Sequence, residues 1–219
     1  MVPEGDGVRG RGTSLSKTRL EAFSDGVFSI ATTLLVLDIA LHPPGSPLKQ
    51  VLEAWPYYLA YLVSFLTIGG AWLAHTALTD RLARADPILL RLNLLLLLAV
   101  GFLPFPTRLV AQALHAVSGE RVFVTMYGLT LLTIRICGFV LAKYADREHL
   151  YGSEDTQGIG NTDEPEQSGR SFLGVLAGYV AAILIGLALP TLAVAFYFGI
   201  AIYLVVPLRE IRHLLFGRA

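Results

Sequence analysis

Residues 19–39 read RLEAFSDGVFSIATTLLVLDI, an apolar stretch interrupted by small, hydroxyl and acidic side chains. Its length suits a helix that crosses the hydrocarbon core of a bilayer, which needs about 20 residues. A helix that only anchors a protein in lipid has no use for Ser24, Asp25 and Thr33. An ionised carboxylate costs several kcal/mol in hydrocarbon, so Asp25 must face protein or water. The stretch therefore predicts a membrane helix that contacts other helices or a water path.

The composition of the whole chain is that of a membrane protein. Its 219 residues are 54% hydrophobic and 16% charged, and the mean hydropathy is +0.59, whereas soluble domains carry about 25% charged residues. The formal net charge of zero gives no electrostatic reason to expect a nucleic acid partner. The lone Cys137 excludes a disulfide framework and a cysteine-ligated metal site. We expect an all-α membrane protein with no bound metal or cofactor.

The apolar stretches predict six transmembrane helices. They are expected at residues 19–41, 51–77, 87–103, 121–143, 172–189 and 191–208. Pro104 and Pro106 remove two backbone donors, so the third helix should kink or break there. Pro190 separates the last two spans, which should form a tight helical hairpin.

The predicted spans define one transmembrane domain from residue 19 to residue 212. Residues 1–18 are rich in Gly, Ser and Arg and lack the apolar core of a signal peptide, so they are expected to form a flexible tail. The polar, acidic segment 146–169 is expected to be a flexible linker. Residues 213–219 form a second predicted tail.

Basic residues predict how the chain is oriented. Six spans put both termini on one side of the membrane, and most Arg and Lys residues lie on that side. The opposite side carries only Lys49, Arg108 and Arg121. By the positive-inside rule both termini, and the 146–169 linker, are expected in the cytoplasm of a cell whose plasma membrane holds the protein.

Polar residues near the cytoplasmic ends of the first three helices predict an interhelical network. Trp72 and His75 lie at the membrane depth expected for Asp25, and Asn93 lies in the first half of the third helix. The expected members are Arg19, Ser24, Asp25, Trp72, His75 and Asn93. Such a cluster either only holds helices together or also takes part in transport, and the sequence leaves both interpretations open.

Ile30, Thr33 and Leu37 are spaced i, i+3 and i+7, so they share one face of the first helix. If about four copies met on an axis, this face would form stacked rings. Apolar rings block ions by dewetting, and hydroxyl rings replace part of an ion's hydration shell. On spacing alone the simpler interpretation is a threonine that bonds to its own helix.

Several of these residues together resemble a known family. The run FSDGVF at 23–28, the sequence WLAH at 72–75, Asn93 and the sequence LPFPT at 103–107 are similar to the transmembrane protein 175 family. That family comprises lysosomal and endosomal potassium channels and their prokaryotic relatives. One six-helix unit per chain resembles the prokaryotic branch, in which four chains surround one pore.

The resemblance implies a potassium-permeable cation channel whose pore is lined by the first helix of each subunit. Ile30 and Leu37 would form apolar constrictions, and Thr33 a hydroxyl ring near the permeating potassium ion. The family's interhelical network matches the six residues named above. The usual potassium-filter motif is absent, since Tyr127-Gly128 lacks its flanking residues, and modest selectivity is expected. The implied partners are three identical subunits, membrane lipid and monovalent cations.

Other functions weighed are a secondary transporter and a proton-permeable leak pathway. A transporter would show paired broken helices or an internal repeat, and the sequence shows neither. An enzyme is not expected, because Asp25 and His75 alone make no nucleophile–base or metal constellation. Arg135 lies mid-span in the fourth helix and needs a partner; a packing ion pair or a subunit contact is expected, since a voltage sensor needs several arginines.

Overall fold

The computed structural model describes residues 17–37, 39, 46–114, 120–151 and 164–206. Within these ranges the regular elements are α-helices. They are α1 (Lys17–Leu37), α2 (Pro47–Glu53), α3 (Trp55–Arg81), α4 (Pro87–Phe102), α5 (Pro104–Ala113), α6 (Glu120–Arg147), α7 (Glu164–Gly186) and α8 (Pro190–Val205). The predicted tails fall outside the described residues except at 17 and 18, which already belong to α1.

Four helical stretches are long and apolar enough to cross a membrane. They are Lys17–Leu37, Trp55–Arg81, Pro87–Ala113 and Arg121–Arg147. Two further apolar helices, Phe172–Gly186 and Pro190–Val205, are shorter. The expectation of an all-helical fold with several spans is confirmed, and the fifth and sixth spans stay predictions. Helix also covers both ends of the predicted 146–169 linker, because α6 continues to Arg147 and α7 begins at Glu164.

The third predicted span is interrupted at its two prolines, as the sequence predicts. Helix α4 ends at Phe102 and α5 begins at Pro104, with Leu103 in a right-handed helical conformation between them. The Thr107 hydroxyl donates a hydrogen bond of 2.8 Å to the Leu103 carbonyl. Pro104 has no N–H to offer to the Val100 carbonyl four residues earlier, and that carbonyl accepts from the Leu103 N–H at 3.1 Å instead.

Helices α3 and α6 each pack against several other helices. Helix α1 packs against α3, α4 and α5, and α6 packs against α4, α5 and α7. Helices α7 and α8 form a hairpin through residues 187–189, and α8 packs back on α3. The apolar core between α3, α5 and α6 includes Val63, Leu103, Val110, Val124 and Leu131.

A short connection at one end ties α3, α4 and α6 together. Asp86 caps α4 by accepting from the Leu89 N–H at 2.7 Å, and its second oxygen accepts from the Tyr144 hydroxyl at 2.6 Å. The Ala83 N–H donates to the Leu150 carbonyl at 2.9 Å. Since buried backbone groups need partners, these bonds fix the α3–α4 turn against the end of α6.

Gly128 makes room for the fully buried ring of Tyr197. A Cβ built at Gly128 would lie closer than 3.0 Å to the Tyr197 side chain and to Ile183. We therefore expect Gly128→Ala to lower the free energy of unfolding by about 1–3 kcal/mol, as overpacking of a core does. The thermal unfolding midpoint of the purified protein measures this. Gly138→Ala is the control, since its Cβ would meet nothing within 4 Å; equal midpoints for the two variants would contradict the prediction.

Candidate functional site on the first helix

Helix α1 divides its side chains between two opposite faces. The buried residues recur every three or four positions, which is the period of a helix with one packed face. They are Leu20, Ser24, Phe28, Ala31 and Leu35. They face α3, α4 and α5, so this side fixes α1 within its own subunit.

The predicted stripe lies on the other face. Ile30 is 61% exposed and Leu37 is 74% exposed, and Thr33 is exposed between them. Nothing in the described part of the subunit covers these side chains. In a membrane protein such a face meets lipid, another chain or a water path.

The Thr33 hydroxyl has a defined orientation. It donates a hydrogen bond of 2.9 Å to the Ile30 carbonyl one turn earlier. A hydroxyl has one proton and two lone pairs, so this bond uses the proton and leaves oxygen lone pairs available. The interpretation as a self-bonded threonine and the interpretation as a cation ligand are therefore compatible.

A buried chain of hydrogen bonds joins α1, α4 and α3. The Asn93 side-chain N–H donates to the Ser24 hydroxyl at 2.9 Å, and the Asn93 amide oxygen lies 2.8 Å from Nε2 of His75. The exposed fractions are 0% for Ser24, 3% for Asn93 and 4% for His75. An amide oxygen only accepts, so Nε2 of His75 carries the proton and donates. The Phe28 ring covers His75 with a centroid distance of 5.5 Å.

A second, exposed contact joins α1 to α3. The Trp72 indole N–H donates to Asp25 at 2.9 Å. Both residues line a cavity of about 560 Å³ between the two helices, together with Ser29, Thr32 and Gly69. Among the described residues no group of three or more His, Cys, Asp or Glu side chains could hold a metal ion.

The structure brings five of the six predicted network residues together and leaves Arg19 outside. Arg19 is exposed and makes no hydrogen bond or ion pair with the residues that the structure describes. It lies 11 residues before Ile30 and 18 before Leu37, close to three and five helical turns. Arg19 therefore lies on the same exposed face of α1 as the stripe. Its charge points away from the buried chain of Ser24, Asn93 and His75.

A second polar chain, which the sequence does not predict, lies in the core. The Ser64 hydroxyl lies 2.7 Å from the Thr107 hydroxyl and 2.8 Å from the Tyr127 hydroxyl, which joins α3, α5 and α6. All three residues are buried. Isolated hydroxyls on apolar helices usually bond to their own backbone, so nothing in the sequence indicates that these three meet.

The region holding the site matches a known family. The family model described as endosomal/lysosomal potassium channel TMEM175 matches residues 19–104, which include the stripe and the network. The crystal structure of a lysosomal potassium-selective channel TMEM175 homolog from Chamaesiphon minutus superposes with a TM-score of 0.70 at 32% identity, covering 89% of this chain and 97% of that one. This chain belongs to the TMEM175 family. Membership, with the apolar helices, makes it a multi-pass membrane protein.

Other TMEM175 relatives carry two different functional names. Potassium channel B446_29190 of Streptomyces collinus is 41% identical over 61% of this chain and 66% of its own length. The endosomal/lysosomal proton channel TMEM175 of Gallus gallus is 41% identical over 45% of this chain and 22% of its own. The match spans just under two thirds of each of two bacterial relatives. The family and these relatives are named as ion channels, which confirms that an enzyme is not indicated.

Proposed function

We propose that this chain is a potassium-permeable cation channel in which four identical subunits surround a pore lined by α1. The observation that carries the proposal is the exposure of Ile30, Thr33 and Leu37 opposite the buried face of α1. One helix about 10 Å across cannot enclose a conduit, so copies must supply the other walls. Relatives named as potassium channels support potassium as the permeant ion.

The residues of the stripe would have separate roles in conduction. Rings of Ile30 and Leu37 exclude water from a narrow pore and so block hydrated ions. Between them, Thr33 oxygens, whose protons are bonded to the Ile30 carbonyl, supply lone pairs to a partly dehydrated cation. One hydroxyl ring offers fewer dipoles than stacked carbonyl rings, so discrimination between potassium and sodium is modest. Opening rotates or splays α1 until the apolar side chains leave the axis.

The buried chain of Ser24, Asn93 and His75 would hold α1 in the rotation that turns the stripe to the axis. It links α1 to both α4 and α3, so turning α1 would break hydrogen bonds at buried groups. Leaving such groups unpaired costs about 1–3 kcal/mol each. The network thus acts on conduction through the position of α1.

The proposed arrangement in the membrane has six spans, with α7 and α8 as the fifth and sixth. Their apolar stretches are short, and α7 extends as a helix back to Glu164. Both termini lie in the cytoplasm of the cell, in agreement with the basic residues. The channel needs no cofactor, and its partners are its own copies, lipid and monovalent cations.

A proton pathway is the second candidate, since several relatives are named as proton channels. A proton crosses a polar pore along hydrogen-bonded water, so it does not require the Thr33 ring to replace a hydration shell. The potassium channel and the proton pathway therefore differ in which ion crosses the pore when its apolar rings are only partly hydrated.

Ion flux from liposomes containing the purified protein tests both candidates. We expect potassium-loaded vesicles to discharge along their gradient, with sodium-loaded vesicles slower and empty vesicles silent. A pH-sensitive dye inside the vesicles reports protons in the same experiment. Proton entry without potassium flux would favour the second candidate, and slow flux that saturates with concentration would indicate a transporter. The absence of any ion flux would remove the channel assignment.

A further inference from the structure

Arg135 on α6 is a half-buried cation with no carboxylate partner among the residues that the structure describes. Its Nε is buried and makes no hydrogen bond, and none of the described carboxylates pairs with it. The Phe172 ring lies 6.0 Å from the guanidinium. A guanidinium stays charged, and an unpaired charge within a membrane is unfavourable. The described residues therefore do not form the ion pair considered from the sequence. An anion from outside the described subunit would compensate the charge.

An open apolar groove begins beside this cation. It lies between α7 and α8, has a volume of about 650 Å³ and falls within the size range of ligand sites. Small residues form much of its wall, which lets a slender chain lie close to both helices: Gly174, Gly178, Ala195 and Gly199. The Phe172 ring faces the Arg135 guanidinium, and Val175, one helical turn further along α7, lines the groove, so the cation and the groove adjoin.

A second cation lies two helical turns along the same face of α6. Phe139 stacks on Phe172 at a ring distance of 3.7 Å, and the Lys143 ammonium lies 6.0 Å from the Phe139 ring. Residues 135, 139 and 143 are four apart, so they share one side of the helix. At about 1.5 Å per residue the 28 residues of α6 span roughly 42 Å, more than the 30 Å of hydrocarbon. The Lys143 end therefore reaches the headgroup region, while the groove lies among acyl chains.

We propose that an anionic phospholipid occupies this site, with its phosphate between Arg135 and Lys143 and one acyl chain in the α7–α8 groove. The molecule must be anionic at one end and apolar along its length, and it must come from the medium that surrounds the hairpin. A phospholipid meets all three conditions. The proposal depends on the protein's place in a membrane and not on channel activity.

Lipid binding to the full chain, purified in detergent, tests the proposal. Phosphatidylglycerol should bind in native mass spectra and raise the thermal midpoint, whereas phosphatidylcholine and glycerol 3-phosphate should do so weakly. Arg135→Gln should weaken phosphatidylglycerol binding about tenfold, the effect of losing one charged hydrogen bond. Arg91→Gln, on the exposed side of α4, is the matched control and should bind as the unmodified protein does.

Variants that fill the groove distinguish binding of an acyl chain from binding of a phosphate alone. A Cβ at Gly174 or Gly199 would meet nothing within 4 Å, so Gly174→Leu and Gly199→Leu should fold and occlude the groove. Both should lose phosphatidylglycerol binding, and Gly101→Leu on α4, equally open, should keep it. Unchanged binding in the two groove variants, or equal stabilisation by glycerol 3-phosphate, would overturn the proposal. So would an Arg135→Gln protein that changes its oligomeric state but not its lipid binding, because a second copy would then supply the anion.

Discussion

Replacing Ile30 with asparagine is expected to raise potassium flux through the reconstituted protein about tenfold or more. In the proposed assembly the change places four amides in an apolar ring that excludes water. Each 1.36 kcal/mol removed from a barrier gives a tenfold rate, and hydrating the ring should remove at least that much. The fold should tolerate the change because Ile30 is 61% exposed in its subunit. Single-channel recording and liposome flux both measure the result.

Val36→Asn is the matched control for this experiment. Val36 is also β-branched, apolar and exposed on α1, but six residues of helix turn it by about 120° from Ile30, out of the ring that Ile30 would form. Its substitution should leave flux near the unmodified level. Thr33→Ala belongs in the same series and should reduce the preference for potassium over sodium. Unchanged conductance in Ile30→Asn together with unchanged selectivity in Thr33→Ala would remove both residues from the pore.

Replacing Asn93 with leucine is expected to be the most damaging change to stability in the network. The two side chains have similar volumes, but the substitution leaves Ser24 and His75 buried without their shared partner. Each unpaired group costs about 1–3 kcal/mol, so the loss should be about 2 kcal/mol or more. Hydrogen bonds between membrane helices average about 0.6 kcal/mol, and this lower figure applies if both groups find new partners. Denaturant or thermal unfolding in detergent gives the difference.

Trp72→Phe provides the comparison for the Asn93 variant. It removes the indole donor to Asp25, but that carboxylate is exposed at a cavity and can be hydrated instead. We expect a smaller loss of stability than for Asn93→Leu. Equal losses, or a larger loss in Trp72→Phe, would show that the exposed contact is the main clamp. Flux from the Asn93 variant then reports whether the buried chain also matters for conduction.

The features that sequence reasoning predicted best are those in which a polar residue stands in an apolar run. Asp25 and Asn93 are expensive in lipid, so each must have a partner, and few residues at the right depth could serve. The same reasoning grouped Arg19 with them by distance along the helix. The helical period, which relates Arg19 to Ile30 and Leu37, would have placed it on the stripe.

The features that the sequence could not predict depend on how helices are rotated against one another. Ser64, Thr107 and Tyr127 meet only because α3, α5 and α6 turn particular sides inward, and each hydroxyl alone looks like a self-bonded one. The Asp86 contact with Tyr144 joins residues 58 positions apart.

The hydrogen bond between Ser24 and Asn93 gives α1 a fixed point near one end, about which the rest of the helix can tilt. Hydrogen bonds hold the helix to its neighbours near its first turns, while the buried residues farther along that the structure describes, such as Leu35, are apolar. From Ser24 to Leu37 the helix is about 20 Å long at 1.5 Å per residue. A tilt of roughly 10° about the Ser24 hydrogen bond moves the far end by about 3.5 Å, the separation of two touching carbon atoms. A small tilt of α1 about this hydrogen bond is thus enough to move the Leu37 side chains of neighbouring copies out of contact.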